Sequence, residues 1–129
     1  MTITEPAARV ALNVSADTNG RIRVLSLRGE LDERSVEAFT SAISEASTAD
    51  CDAVVLDLAL LYRLDASGLA ALGDAAARLA RAGRRLNMAS VRPRIREFLA
   101  FSGADALMPS FRNVEQAVRQ LRLVRVSEV

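Results

Sequence analysis

The most restrictive feature of the sequence is a short apolar run at residues 53–58 (AVVLDL), which a single acid interrupts. Half-exposed strands alternate apolar and polar residues, whereas a strand buried on both faces reads as a nearly continuous apolar run. A strand of the second kind needs other elements packed above and below it. The run therefore predicts the central strand of a sheet that helices cover.

The residues before this run predict a β-hairpin. Apolar residues alternate with smaller or polar ones over residues 10–14, which is typical of a half-buried strand. The pair Asn19-Gly20 favours a tight turn because both residues tolerate a positive φ angle. We expect the returning strand over residues 21–28, with its end at Gly29.

Three segments repeat apolar residues at helical spacing in the middle of the chain. The first begins at Asp32 as N-cap and extends to about residue 47. The second begins near Ser67 and ends at Gly83, where the chain can turn out of the helix. A strand at residues 85–89 follows, and Ser90 is the expected cap of the third helix.

The remaining elements complete an alternating pattern. Gly103 ends the third helix, residues 107–111 predict a short strand, and Asn113 with Gln116 forms a capping box for a last helix. The order is β-β-α-β-α-β-α-β-α. It predicts an α/β fold, with a mixed sheet of four to five strands, an N-terminal hairpin and about four flanking helices.

The length of 129 residues fits one domain, which we expect over residues 9–124 between tails at residues 1–8 and 125–129. No apolar run reaches the roughly 18–20 residues that span a bilayer, and residues 1–8 do not resemble a secretory signal. Cys51 is the only cysteine, which excludes an internal disulfide and suits a reducing compartment. We therefore expect a cytoplasmic protein without a membrane partner.

Composition also limits the chemistry. The chain contains no histidine, and all 17 basic residues are arginine, so the usual general base and Schiff-base lysine are missing. We therefore expect no enzyme activity, catalytic residue, metal or cofactor.

Residues 78–129 carry 11 arginines against 4 acids, a balance that can bind nucleic acid. Four Phe and one Tyr provide no evident stacking platform, however, so nucleic-acid binding is not expected.

Two segments lie where partners of α/β folds gather, at the carboxyl ends of strands and the amino ends of helices. They are residues 29–32 (GELD) and residues 65–69 (DASGL). A helix start has free N–H groups and a partial positive charge. It can therefore accept a capping side chain from Asp65 or Ser67, or it can tolerate a phosphoryl group on Ser67. Gly68 would leave the Ser67 hydroxyl accessible to a kinase.

These segments, with others at matching separations, resemble the STAS family over residues 9–124, and most closely the bacterial anti-sigma-factor antagonists. The other segments are the strand at residues 55–58, the stretch SVRPRIREFL at residues 90–99, the Ser102-Gly103 turn and the closing amphipathic helix.

The resemblance implies a phosphorylation switch that regulates sigma-factor-dependent transcription. The unphosphorylated protein would bind an anti-sigma factor that is also a serine kinase. Phosphorylation of Ser67 would weaken that complex, and a phosphatase would restore it. Ala66 replaces the serine that precedes the acceptor in the family motif. Asp32 is similar to the acid beside the acceptor, and Asp65, Gly68 and Leu69 complete the expected surroundings.

Several alternatives remain open at this stage. Arg63 is either an exposed loop arginine or a partner of Asp65 or of the phosphate. A receiver-type domain could use Asp57 as phosphoacceptor, but the lysine and the acidic pair that receivers need are missing. Ser67 has no base for hydrolase chemistry. The main alternative is a non-switching STAS subunit, either a signalling scaffold or a lipid-transport accessory subunit. In either case we expect a monomer or a weak homodimer.

Overall fold

The computed structural model of the chain describes residues 12–106 and 108–127. The predicted N-terminal tail, residues 1–8, lies outside these residues. The elements, in chain order, are β1 Leu12–Asn19, β2 Ile22–Leu31, α1 Val36–Thr48, β3 Ala53–Leu64, α2 Ala66–Arg81, β4 Arg85–Ala89, α3 Pro93–Ser102, β5 Ser110–Phe111 and α4 Val114–Ser127.

The strands form one mixed sheet in the order β1-β2-β3-β4-β5. β1 and β2 are antiparallel and turn at Asn19 and Gly20, where Gly20 has a φ of 64°. Every later strand is parallel to its neighbour. The predicted hairpin, mixed sheet and four helices are therefore confirmed.

Alternate residues of β3 face two separate cores, as its apolar run predicted. Val54 and Leu56 are fully buried against α1, α2 and α3 on one face of the sheet. Ala53 and Val55 are buried against α4 on the other face. Because both faces of β3 are covered, this strand is the rigid element from which the segment with Ser67 extends.

β2 and β3 are longer than predicted. β2 continues through Gly29 to Leu31, and β3 includes Tyr62 and Arg63, which we expected in a loop. The pairing of β2 with β3 shifts register twice, between Ser26 and Arg28 and again after Gly29. Each shift adds an unpaired residue to β3, as in a β-bulge, so the apolar alternation is lost although the strand continues.

Two predicted helix caps are wrong. Asp32 lies before α1, and the position next to the helix is held by Ser35. The N–H of Ser35 donates to the Asp32 carbonyl at 2.9 Å, so a turn separates Asp32 from the helix. Ser90 does not cap α3 either, because the chain reaches Arg92 before the helix starts, with Pro93 as its first residue.

The other predicted helix ends agree with the structure. Gly103 ends α3 with a φ of 83°, and Gly83 follows α2 with a φ of 77°. Asn113 Oδ1 accepts from the Gln116 N–H at 2.8 Å at the start of α4. α4 continues to Ser127, past residue 124, where we expected the domain to end.

Candidate functional site

The start of α2 follows directly from the carboxyl end of β3, without the loop that we expected between them. Asp65 is the N-cap, and its Oδ1 accepts from the Gly68 N–H at 2.8 Å. Ser67 is the second residue of the helix and is half-buried. Among the described residues its hydroxyl forms no hydrogen bond. Asp65 therefore performs the capping, and the Ser67 hydroxyl is available for other chemistry.

Gly68 has a structural role that the sequence did not reveal. It is buried, and a Cβ at this position would lie 2.2 Å from the Leu31 carbonyl oxygen and 2.7 Å from Leu64 Cδ1. Only a residue without a side chain allows the first turn of α2 to approach the end of β2 so closely. Gly68 thus fixes the position of Ser67, which differs from our expectation that it merely exposes the hydroxyl.

The two predicted segments, residues 29–32 and residues 65–69, meet at the Leu31 carbonyl. This carbonyl accepts a hydrogen bond from the Asp65 N–H at 3.4 Å. On the other side, the buried Ser35 closes the loop after β2. Its Oγ donates to the Glu30 carbonyl at 2.8 Å and accepts from the Asp32 N–H at 3.0 Å. The loop that carries Asp32 and the helix start that carries Ser67 therefore form one packed unit.

Arg34, which we did not predict as part of the site, offsets the negative charge of Glu30 and Asp32 in this loop. Its Nη2 lies 2.7 Å from Asp32 Oδ2 and 2.8 Å from Glu30 Oε1, and its backbone N–H donates to Asp32 Oδ1 at 3.0 Å. The hydrogen bonds from the Arg34 side chain are the main reason that the pKa of Asp32 is lowered. The acid–Arg spacing of four residues between Glu30 and Arg34 was the available sequence signal.

Replacing Arg34 with glutamine is expected to raise the pKa of Asp32 toward its ordinary value. In the folded protein the pKa is lowered, so Asp32 stabilises the fold at pH values above its unfolded-state pKa. That contribution is lost as the pH falls through the folded-state pKa. Carboxyl NMR titrations of the wild type, Arg34→Gln and the exposed control Arg94→Gln test this. An unchanged Asp32 titration in Arg34→Gln would refute the assignment.

Ser67 also lines a shallow depression of about 390 Å³ beside α1 and α2. Two acids, Glu33 and Asp74, share this lining, and both are exposed. No arginine lines it within the described residues. The acids that line the same depression as Ser67 are therefore Glu33 and Asp74, neither of which we predicted, whereas Asp32 is paired with Arg34.

Arg63 and Leu69 take different positions in this region. Arg63 is exposed at the end of β3, opposite Glu30 in the pairing of β2 with β3. In the described part of the chain it forms no ion pair with Asp65, so of the two alternatives the exposed arginine agrees with the structure, although it lies in β3 and not in a loop. Leu69 is half-buried and packs against the core below α2.

The end of β3 also presents an aromatic side chain. Tyr62 is 53% exposed, and the guanidinium carbon of Arg92 lies 4.7 Å from the centre of its ring. Arg92 Nη1 donates to the Ala59 carbonyl at 3.2 Å. This cation–π contact and hydrogen bond connect the bulged part of β3 to the start of α3. No sequence pattern predicted this contact between Tyr62 and Arg92.

The described residues contain no group of three or more His, Cys, Asp or Glu side chains arranged to hold a metal ion. Within the same part of the chain, every helix is too short or too polar to cross a bilayer.

Comparison with known proteins identifies the family to which this fold belongs. The family model described as "Mlab, STAS domain" matches residues 14–109. This chain belongs to the STAS family. The anti-sigma F factor antagonist of Paenibacillus polymyxa is 25% identical to it over 114 residues, which are 88% of this STAS chain and 97% of that protein.

Solved structures of one relative are similar in fold. The anti-sigma factor antagonist SpoIIAA in its unphosphorylated form has a TM-score of 0.71 and 26% identity to this STAS chain, and the match covers 85% of this chain and 96% of that one. Bacillus SpoIIAA in its phosphorylated form has a TM-score of 0.65 at 26% identity, with 84% and 99% covered.

Proposed function

We propose that this STAS protein is an anti-sigma factor antagonist whose binding is switched by phosphorylation of Ser67. The unphosphorylated protein binds an anti-sigma factor that is also a serine kinase, and this binding displaces a sigma factor. The kinase transfers a phosphoryl group to Ser67 and the complex dissociates. A phosphatase then restores the binding form.

The observation that supports the proposal most directly is that the Ser67 hydroxyl forms no hydrogen bond with any residue that the structure describes. Asp65 caps α2, so the serine is not needed for that purpose. Similarity to antagonists supports the antagonist role, and the existence of SpoIIAA in a phosphorylated form supports the switch. Asp65, Ser67 and Gly68 resemble the acceptor motif of the family and lie at the start of α2, which also supports the proposal.

The electrostatic field at the start of α2 allows Ser67 to be phosphorylated without unfolding the helix. Ser67 lies in the first turn of a 16-residue helix, where the partial positive charge of the N-terminus favours an anion. The N–H groups at this end also have no acceptor one turn earlier in the helix. A phosphoryl group adds roughly 1.5–2 negative charges, and the helix start tolerates this charge in the free protein.

The negative charge of phosphorylated Ser67 opposes binding of the kinase. Glu33 and Asp74 line the depression beside Ser67, and a kinase site that holds a nucleotide brings further phosphate groups toward it. Like charges brought together at an interface cost several kcal/mol. Arg34 offsets the negative charge of Asp32. Within this protein, we therefore assign the main repulsion of the Ser67 phosphate to Glu33 and Asp74.

The experiment is intact-mass and phosphopeptide measurement after incubation in host lysate with Mg-ATP. We expect one added phosphate on the wild type and none on Ser67→Ala. Ser41→Ala removes another exposed-helix serine and serves as the matched control, with one phosphate retained. Absence of modification across growth conditions would instead favour the non-switching STAS subunit, in which Ser67 is never modified.

A further inference from the structure

A basic depression lies at the carboxyl ends of β4 and β5, beside the start of α3. It has a volume of about 760 Å³, and its charged lining residues are Arg92, Arg96, Arg112 and Asp105. Three positive charges therefore share this lining with one negative charge. We call this depression the arginine cleft. Of the described residues, none lines both the arginine cleft and the depression beside Ser67, so the two surfaces are separate.

The positive charge of the arginine cleft is not balanced by carboxylates. Within the described residues, Arg92 Nη1 donates to the Ala59 carbonyl and Arg96 Nη2 donates to the Val91 carbonyl, both at 3.2 Å. The side chain of Arg112 forms no hydrogen bond or ion pair with any described residue. Each guanidinium has five N–H donors, so all three side chains keep donors that no described residue uses. This charge favours an anionic ligand.

The backbone around the arginines is held in one conformation. Ser90 has a φ of 60°, in the left-handed region that residues with a side chain adopt only where their surroundings hold them. Its N–H donates to the Phe111 carbonyl at 3.0 Å, and its Oγ donates to the Arg112 carbonyl at 3.3 Å. The guanidinium of Arg92 is held over the ring of Tyr62. Groups that are already ordered lose less entropy on binding, so the cleft is preorganised for a charged ligand.

Exposed apolar groups border the arginines. Tyr62, which contacts Arg92, is 53% exposed, and Leu60 on the same strand is 45% exposed. Pro93 lines the cleft itself and is also exposed. A ligand that covers these side chains removes apolar surface from water and gains free energy in addition to its ion pairs. The surface therefore fits a ligand that combines negative charges with an apolar group.

We propose that the arginine cleft is a docking surface for an acidic segment of a partner protein, whose carboxylates pair with Arg96 and Arg112 and whose apolar side chain covers Tyr62. Arginine suits this role because its planar guanidinium can donate two hydrogen bonds to one carboxylate. Single-stranded nucleic acid fits less well, because its bases stack on exposed aromatic rings. Among the described residues that line the cleft, Phe111 is the one aromatic residue, and it is half-buried. The proposal does not rest on the phosphorylation of Ser67.

Amide NMR titration with a capped hexapeptide of four glutamates and two leucines, at about 0.15 M salt, tests the proposal. We expect saturable shifts at Ser90, Arg92 and Arg112, with unchanged shifts around Ser67. The same peptide with glutamines in place of the glutamates should cause no saturable shifts, because it cannot form ion pairs. The absence of saturable shifts with the acidic peptide up to roughly 10 mM would overturn the site.

Two arginine variants test which residues bind the peptide. Arg112→Gln should weaken binding of the acidic peptide about threefold to fivefold, which is the size of effect expected for an exposed ion pair. Arg94→Gln is the matched control, since Arg94 is exposed on α3 and does not line the cleft. It should leave the affinity unchanged. Equal losses in the two variants would show attraction to net charge alone and would overturn the cleft as the binding site.

Two further ligands test the class of partner. A thymidine pentanucleotide carries four negative charges, as the peptide does, and we expect it to bind several-fold more weakly. Equal or tighter binding of this oligonucleotide at the same residues would overturn the assignment of a protein partner in favour of nucleic acid. A peptide with alanines in place of the leucines should bind about threefold more weakly. Equal affinity of the two peptides would overturn the role of the apolar surface at Tyr62.

Discussion

Replacing Gly68 with alanine is expected to lower the free energy of unfolding by about 3 kcal/mol or more. The new methyl group would lie 2.2 Å from the Leu31 carbonyl oxygen, a backbone atom that cannot move without disturbing the end of β2. The first turn of α2 must then shift away from β2, and Ser67 must shift with it. Urea denaturation of the wild type and Gly68→Ala measures the loss.

Gly73→Ala provides a control within the same helix. A Cβ at Gly73 meets nothing within 4 Å, so alanine introduces no clash there. Alanine is favoured over glycine inside a helix, and this variant should therefore be more stable than the wild type by about 0.5–1 kcal/mol. If both variants changed stability by the same amount and in the same direction, close packing at Gly68 would not be the cause.

Replacing Ser67 with aspartate is expected to weaken binding of the anti-sigma factor kinase about hundredfold, which corresponds to about 2.7 kcal/mol. The carboxylate places a permanent negative charge next to the depression that Glu33 and Asp74 already line. Ser67→Ala adds no charge and should bind as tightly as the unphosphorylated wild type. Calorimetric titration of the purified kinase with each variant gives the affinities.

Ser110→Asp places the same charge at an exposed position on the edge strand β5 and controls for net charge. It should bind within about threefold of the wild type, because rim charges far from a contact change affinity little. Equal affinities for Ser67→Ala and Ser67→Asp would contradict the electrostatic mechanism of release. If Ser110→Asp weakened binding as much as Ser67→Asp, the repulsion would not be specific to the position of Ser67.

The sequence predicted the order of elements because each has a local signal. The apolar run of β3, the Asn19-Gly20 turn and the helix-ending Gly103 act over a few residues, and all three agree with the structure. The extra length of β3 could not be predicted in this way. Its bulges shift the alternation of side chains, so Tyr62 and Arg63 read as a loop although they extend the strand.

The site was predicted in part for the same reason. Ser67 and Asp65 are neighbours in sequence, so the helix start alone limited the cap to these two residues, and the structure shows that Asp65 is the cap. The role of Gly68 depends on the Leu31 carbonyl, which reaches it from another strand. Asp32 has the residue type of an N-cap, but its carboxylate is occupied by Arg34, and a turn separates it from α1. Such competition between contacts is decided only in the folded chain.

The most direct test of the switch is the release of a preformed complex on addition of Mg-ATP. The kinase is immobilised with the wild type or Ser67→Ala bound, and dissociation is followed together with the phosphate content of the released protein. We expect the wild type to dissociate as Ser67 becomes phosphorylated and Ser67→Ala to remain bound. A wild-type complex that persists after Ser67 has been fully phosphorylated would contradict the account.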